Sequence, residues 1–450
     1  MLAARAQWPA GGVLLAICVA FGLLAGINPV WALAAAIGAV FATLVAADLT
    51  LGLCVFIVVA FAERVPAAGA SDLTLVKVLG ALLAVSWLGN VATRRAGEKQ
   101  FFTAHPVMTA TAALLLAWML LSIGWAEDPD VARGEALRYA LNFMLLPIVY
   151  SAVTRREHVG AVLGTYVAGA VLFALYAIAT RDTGDGFARI SGLAGTANEL
   201  ASLLVTALLL AVGLMLGMRR APVLRAACLA AAVICLGALF LTLSRAGLVA
   251  LGAALVAAIF VGGRRRLGAS VVALVIGAVV LGYFTFGASE QARERVTTIG
   301  SGTGRTDIWT VAGRMIADNP VTGVGVGNFR TASIHYLLEP GAILRDEFIV
   351  DKRQVAHNAY LHVLAETGFP GLVLFCGLLL AGLWAAWRAA GEFSRRGDPF
   401  LESCSRALVL ALVALFVADA FASDQLNKGL WVLLGLGPAL LAIARRMPEP

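Results

Sequence analysis

Proton transfer needs a side chain that changes its charge near neutral pH, and one histidine lies where such chemistry could take place. His357 lies near the end of a polar stretch that runs from Ala288 to Glu366, just before an apolar segment. The unperturbed pKa of histidine is about 6.5, so His357 could accept a proton from a hydroxyl group at neutral pH. A histidine beside a membrane segment is also often a hydrogen-bonded structural residue, and its position alone leaves both roles open.

Three arginines could supply positive charge to the same reaction. Arg189 and Arg305 lie beside glycine-containing bends, and Arg245 lies in a Leu-Ser-Arg-Ala-Gly run between two apolar segments. Guanidinium groups bind phosphate oxygens through paired donors in one plane, so the three could hold a diphosphate. Each arginine taken alone would more often end a helix or form a structural ion pair. Charge patterning predicts that all three lie on one side of the membrane, which favours the anion-binding role.

Four further polar residues are candidates for supporting roles. Asn198 opens an apolar segment and is predicted to be the N-cap of its helix. Asn358 and Glu366 are interpreted as a cap and an orienting partner. Tyr360 would share a face with His357 if this segment were helical throughout.

No pattern in the sequence predicts a metal or nucleotide site. The five histidines lack the spacing of metal ligands. Asp128-Pro-Asp130 is interpreted as a solvated turn and not as a metal-binding Asp-x-Asp motif. The Gly-x-Gly-x-Gly run at 323–327 resembles a nucleotide-binding loop only superficially, because no strand–helix unit is predicted around it. No cofactor is therefore expected.

The elements that position these residues are predicted to be membrane helices. Hydrophobic residues make up 60% of the chain and charged residues 14%, and the mean hydropathy is +0.88. These values exclude a soluble globular protein. Because a helix needs about 20 apolar residues to cross a bilayer, we predict an all-α polytopic integral membrane protein with about 12, and up to 14, transmembrane helices. The net charge of +7 comes mostly from arginines beside these segments and does not predict nucleic-acid binding.

The positions of the positive charges set the predicted orientation. Arginines concentrate in alternate connections between the apolar segments and in the C-terminal tail. Because such connections stay in the cytoplasm, both termini are predicted to be cytoplasmic and the long polar stretch to lie outside. We predict N-terminal transmembrane helices over 1–287, one large and partly helical periplasmic loop over 288–366, and C-terminal transmembrane helices over 367–450.

A family resemblance gives these residues a common context. His357-Asn358 is followed by nine residues and then by Gly368-Phe-Pro-Gly371. Further matching motifs are Ser244-Arg245-Ala246-Gly247, Gly304-Arg305 with Trp309, and Asn319-Pro320 through Phe329. In these motifs the chain resembles the O-antigen ligases of Gram-negative bacteria, which share a superfamily with O-antigen polymerases and protein O-oligosaccharyltransferases.

The resemblance implies a GT-C-like fold and a metal-independent, inverting glycosyl transfer at the periplasmic face of the inner membrane. The donor would be O-antigen polysaccharide on undecaprenyl diphosphate, and the acceptor would be a sugar hydroxyl of lipid A-core, both among membrane lipids. His357 would act as the general base. Arg189, Arg245 and Arg305 would hold the diphosphate, as a divalent metal does elsewhere.

Other functions stay open at this point. A polymerase or a protein O-oligosaccharyltransferase would share the superfamily's motifs, although one large loop and a short C-terminal region favour a ligase. A non-catalytic transporter is the alternative from another class. A transporter would need charges along a path through the membrane, whereas the sequence predicts that Arg189, Arg245, Arg305 and His357 gather on one face of the membrane.

Overall fold

A computed structural model describes residues 25–61, 75–93, 100–181, 189–262, 266–287, 305–337 and 355–448, together with positions 19, 22 and 23. Within these ranges every regular element is helical and no strand occurs. Most of the first predicted transmembrane segment lies outside the described residues. The predicted boundary at 287/288 likewise adjoins residues that are not described.

The helices are labelled in chain order. They are α1 (Pro29–Ala47), α2 (Leu49–Phe61), α3 (Leu75–Thr93), α4 (Phe101–Ala104), α5 (Pro106–Ser122), α6 (Pro129–Ala152), α7 (Arg156–Ala179), α8 (Ala197–Gly217), α9 (Pro222–Thr242), α10 (Arg245–Val261), α11 (Arg266–Gly282), α12 (Arg305–Asp318), α13 (Phe329–Leu337), α14 (Ala359–Arg396), α15 (Pro399–Asp419) and α16 (Lys428–Arg446). A short 3₁₀ turn, Gly192–Ala194, precedes α8.

Six of the described helices are long and apolar enough to cross a membrane, namely α7, α8, α9, α14, α15 and α16. Large apolar side chains such as Leu114, Leu172 and Trp384 are exposed on the outside of the bundle, as contact with lipid would require. The predicted class, an all-helical polytopic membrane protein, is therefore confirmed. The number of spans, the domain boundaries and the GT-C-like arrangement stay predictions.

Charged residues gather at the end of the bundle where α7 and α15 begin. Arg156 donates to Asp398 over 3.2 Å and lies over the Phe400 ring. Arg406 pairs with Glu402 at 2.9 Å. Both arginines belong to the set that the charge pattern predicts to be cytoplasmic. The candidate site lies at the opposite end, where α8, α10 and α14 begin.

The described part of the predicted large loop includes two helices, α12 and α13, that pack on the start of α14. Val311 of α12 and Phe329 of α13 form a small apolar cluster with Ala356 and Ala365. The Trp309 indole donates to the Ala356 carbonyl at 2.9 Å. These contacts fix α12 beside the backbone that leads into α14.

Candidate active site

His357 lies in a turn directly before α14. Its φ of 49° is positive, which is uncommon for residues other than glycine. Asn358 caps the helix, since its Oδ1 accepts hydrogen bonds from the Tyr360 and Leu361 amides, each at 3.0 Å. The helix begins at Ala359, so His357 stands outside it. The helical-face argument that pairs Tyr360 with His357 therefore does not apply.

The nine residues between Asn358 and Gly368 form a short helix. α14 is interrupted at Gly368, where φ is 66° and ψ is −175°. Residues 359–367 make up the first part, and the apolar part follows the break. The Trp118 indole donates to the Thr367 carbonyl at 2.7 Å, and the Phe369 amide donates to the Pro320 carbonyl at 2.9 Å. The break is thus held by two other parts of the chain.

The glycine-rich run at 323–327 packs against this break. The amides of Val324 and Gly325 donate to the carbonyls of Ala365 and Glu366 at 3.0 and 2.9 Å. Gly323 has a φ of 63°, and a Cβ there would lie only 2.3 Å from the carbonyl carbon of Glu366. These glycines allow two backbone segments to meet closely. The Gly323 and Gly325 amides donate to carbonyl groups of the protein and are not turned toward a phosphate.

Arg189, Asn198 and Ser244 form one hydrogen-bonded group. Arg189 donates through Nε to the Thr242 carbonyl at 2.8 Å and through Nη2 to Asn198 Oδ1 at 3.3 Å. The Ser244 hydroxyl donates to the same Asn198 oxygen at 2.8 Å. Asn198 therefore connects Arg189 with Ser244, the cap residue directly before Arg245.

The prediction that Asn198 caps α8 is wrong. Thr196 is the cap, and its hydroxyl accepts from the Glu199 amide at 3.3 Å. Thr-x-x-Glu is the sequence signature of a capping box, so the sequence contains the correct signal two residues earlier. Asn198 lies inside the first turn, where its side chain is free to point away from the helix and bind Arg189.

Arg245 and Arg305 bring further positive charge to this end of the bundle. Each is the first residue of its helix. Burial, and after it the Arg245 cation, lower the pKa of Arg305. Burial, and after it the Arg305 cation, lower the pKa of His357 from its ordinary value of 6.5. Both effects disfavour the charged imidazole, so His357 is neutral at pH 7 and able to accept a proton.

Tyr360 and Glu366 have partners within the protein. The Tyr360 hydroxyl donates to the Phe416 carbonyl at 2.8 Å. Glu366 is buried, and its Oε1 accepts from the Phe329 amide at 3.1 Å and contacts His362 Nε2 at 3.0 Å. These bonds join the first part of α14 to α13 and α15. The two side chains are thus placed to position the segment that follows His357.

The Asp128-Pro-Asp130 run begins a helix. Asp128 caps α6 by accepting from the Asp130 and Val131 amides at 3.1 Å, and Asp130 pairs with Arg133. Within the described ranges no three His, Cys, Asp or Glu side chains are grouped as metal ligands would be.

Sequence reasoning missed a group of charged residues beside these side chains. They line a cavity of about 460 Å³ and include Glu135, Arg138, Arg330, Asp424 and Lys428. The Arg330 cation also contributes to the lowered pKa of His357. In the sequence these residues are isolated charges next to apolar segments, a pattern that ordinary solvated helix ends share.

Comparison with known proteins finds a similarity to the O-antigen ligases. Residues 230–376 match the family model described as Wzy_C: O-Antigen ligase. A curated O-antigen ligase from Pseudomonas aeruginosa is 27% identical over 342 residues, which cover 75% of this chain and 78% of that protein. The resemblance stated from the motifs is therefore confirmed.

The segment that matches the family model contains Arg245, Arg305 and His357, whereas Arg189 and Asn198 precede it. The hydrogen bond from Ser244 to Asn198 thus joins the family segment to the helix before it. One solved structure, described as "Structural coordination of polymerization and crosslinking by a peptidoglycan synthase complex", aligns with a TM-score of 0.39 and 17% identity over 76% of this chain and 98% of that chain. That likeness is too distant to carry an argument.

Proposed function

We propose that the protein is a glycosyltransferase that moves O-antigen polysaccharide from undecaprenyl diphosphate to a sugar hydroxyl of lipid A-core. The reaction would take place at the periplasmic face of the inner membrane in a Gram-negative bacterium. The observation that carries the proposal is that His357, whose pKa is lowered by burial and by the Arg305 cation, lies at the same end of the helical bundle as Arg189, Arg245 and Arg305. The O-antigen ligase family segment supports lipid-linked polysaccharide as the substrate class.

The proposed reaction is a single displacement at the anomeric carbon of the donor sugar. The acceptor oxygen forms a bond to that carbon, and the bond from the carbon to the diphosphate oxygen breaks with its electron pair. His357 takes the proton of the acceptor hydroxyl. Attack from the face opposite the leaving group inverts the configuration. A lowered pKa suits this role because the imidazole is already unprotonated at neutral pH.

The arginines would stabilise the leaving diphosphate, whose negative charge grows as the bond breaks. Asn198 supports this role by orienting the Arg189 guanidinium, to which it is hydrogen-bonded. The neighbouring Arg245 and Arg305 cations concentrate positive potential at the same end of the bundle. Fixed cations of this kind can do the work of a divalent metal, so we propose that the transfer is metal-independent.

Replacement of the proposed base tests the mechanism. His357→Ala should lower ligation by purified protein about 10²- to 10⁴-fold. His335→Ala is the matched control, because His335 is an exposed histidine on α13 that contacts Glu127. Normal ligation by His357→Ala would refute the assignment. A loss of ligation in EDTA that Mg²⁺ restores would refute metal independence.

A lipopolysaccharide gel of a strain lacking the protein separates the related functions. Bare lipid A-core, with full-length O-antigen accumulating on its lipid carrier, would support a ligase. Core capped with one repeat unit would indicate a polymerase instead. Normal lipopolysaccharide with unglycosylated secreted protein would indicate a protein O-oligosaccharyltransferase. A transporter would move its solute across proteoliposome membranes without forming a glycosidic bond.

A further inference from the structure

The cavity of about 460 Å³ adjoins both halves of the proposed site. Ala194 and Glu199 line it on either side of Asn198 in the chain, and Val355 lines it two residues before His357. Small-ligand sites in proteins have volumes of about 300–1,000 Å³. The cavity is therefore large enough for a ligand that reaches between the proposed diphosphate site and the proposed base.

The wall of the cavity carries as many carboxylates as basic side chains. Four Asp or Glu residues and four Lys or Arg residues line it. Glu135 and Arg138 form an ion pair there at 3.2 Å. A diphosphate is negatively charged and accepts hydrogen bonds without donating them, so a wall with four carboxylates disfavours it. The wall of the cavity, with both signs of charge, therefore differs from the group of three arginines, which is positively charged throughout.

A sugar fits this wall better than an anion does. Each sugar hydroxyl both donates and accepts hydrogen bonds, whereas carboxylates only accept them and guanidinium and ammonium groups only donate them. A wall that offers both hydrogen-bond acceptors and donors can bind several hydroxyls of one sugar ring at once. Phe61 also lines the cavity and supplies an apolar ring for the C–H face of a sugar.

We propose that this cavity binds the sugar unit next to the glycosidic bond that the protein makes. The inference rests on the proposed function, which supplies two sources of such a sugar. The sugar belongs either to the donor, beside its diphosphate, or to the acceptor, beside its reacting hydroxyl. Both present the same hydroxyl chemistry, and kinetics distinguish them.

The test uses two variants that preserve shape and remove one carboxylate each, Glu135→Gln and Asp424→Asn. Glu127→Gln is the matched control, since Glu127 lies at the same end of the bundle outside the cavity wall and pairs with exposed His335. Initial rates of the full-length protein in proteoliposomes are measured with donor and acceptor varied in turn. Hydrogen bonds to charged groups contribute about 1.5–3 kcal/mol, so KM for one substrate should rise about 10-fold or more while kcat changes little.

The kinetic outcomes are distinct. A raised KM for the acceptor alone places the acceptor sugar in the cavity, and a raised KM for the donor alone places the donor sugar there. Values of KM within about twofold of the wild type for both substrates in both variants overturn the inference. Melting followed by tryptophan fluorescence identifies a variant that fails to fold. If Glu135→Gln fails to fold, Arg138→Gln takes its place, because Arg138 is the half-exposed partner of Glu135 in the cavity wall.

Direct binding separates failure of this inference from failure of the proposed function. Saturation-transfer NMR is recorded with soluble oligosaccharides released from the lipid-linked donor and from lipid A-core. Saturable binding that Glu135→Gln and Asp424→Asn weaken supports the sugar site even if the wild type forms no glycosidic bond. Ligation by the wild type with no saturable binding of either oligosaccharide, and no change in KM, overturns the sugar site and leaves the proposed function intact.

Discussion

Replacing Gly368 by alanine tests how the loop and the helix break depend on each other. Gly368 has φ of 66° and ψ of −175°, a combination that essentially only glycine adopts and that strains another residue by about 1–3 kcal/mol. An added Cβ would lie 2.1 Å from the Val321 carbonyl oxygen and 2.9 Å from that of Pro320. Relieving such an overlap by moving the backbone costs about 1–3 kcal/mol more. We therefore expect Gly368→Ala to destabilise the protein by about 2–6 kcal/mol.

The matched control is a glycine further along the same helix. A Cβ at Gly377 would lie 3.7 Å from Thr111 Cγ2, which is an ordinary contact. Alanine is also favoured over glycine inside a helix by about 1 kcal/mol. Gly377→Ala should therefore melt at the wild-type temperature or above it. The measurement is thermal unfolding of detergent-purified protein followed by tryptophan fluorescence, with ligation activity recorded in parallel.

Activity should fall further than stability alone explains. The Phe369 amide bonds to the Pro320 carbonyl, and the loop that contains Pro320 follows α12, which carries Arg305 at its start. Moving Pro320 away from the break would displace Arg305 from His357. The reasoning is refuted if Gly368→Ala melts together with Gly377→Ala, or if it ligates at the wild-type rate.

Three further predictions concern the polar partners of the site. Activity should fall as the pH drops through the pKa of His357, because the protonated imidazole accepts no proton. Arg305→Gln removes a cation that lowers this pKa, so the acid limb of the pH–activity profile should move to higher pH. The control Arg305→Lys keeps the positive charge and should leave the acid limb in place. An unmoved limb in Arg305→Gln would contradict this account. Asn198→Ala should lower kcat/KM about 10- to 100-fold, since it removes a hydrogen bond to the Arg189 guanidinium, and full activity would rule out an orienting role. Glu366→Gln should lower the free energy of unfolding by about 1–3 kcal/mol, because it changes a buried contact with a histidine. Glu127→Gln changes an exposed contact with a histidine and should lower the free energy of unfolding by at most about 1 kcal/mol. Equal effects of the two variants would show that burial of the pair does not determine its contribution to stability.

The class of fold could be predicted because the bilayer imposes a simple rule on composition. A spanning helix must present apolar side chains to lipid, and the runs that do so are visible without any tertiary information. The arginines could be singled out by the same rule, since Arg245 stands between two apolar segments where charge is costly. Asn358 could be predicted as a cap because capping depends on neighbours within three residues.

The partners of Asn198 could not be predicted in this way. Its side-chain oxygen accepts from Ser244, which is 46 residues away in the chain, and from Arg189. The residues that line the cavity could not be predicted either, since Glu135 and Asp424 come together only through the packing of the helices. Local patterns report helix starts and apolar faces. They do not report which distant polar groups meet.

The nine-residue spacing of the family motif has a physical meaning that the sequence alone hides. Asn358 fixes the start of the short helix and Gly368 fixes its end. Nine residues at 1.5 Å each give it a length of about 13.5 Å. Because each residue turns the helix by about 100°, His362 and Glu366, which are four residues apart, lie on one face, toward α13. The spacing therefore sets where the turn with His357 lies relative to the loop helices, and in that arrangement the Arg305 cation on α12 contributes to the lowered pKa of His357.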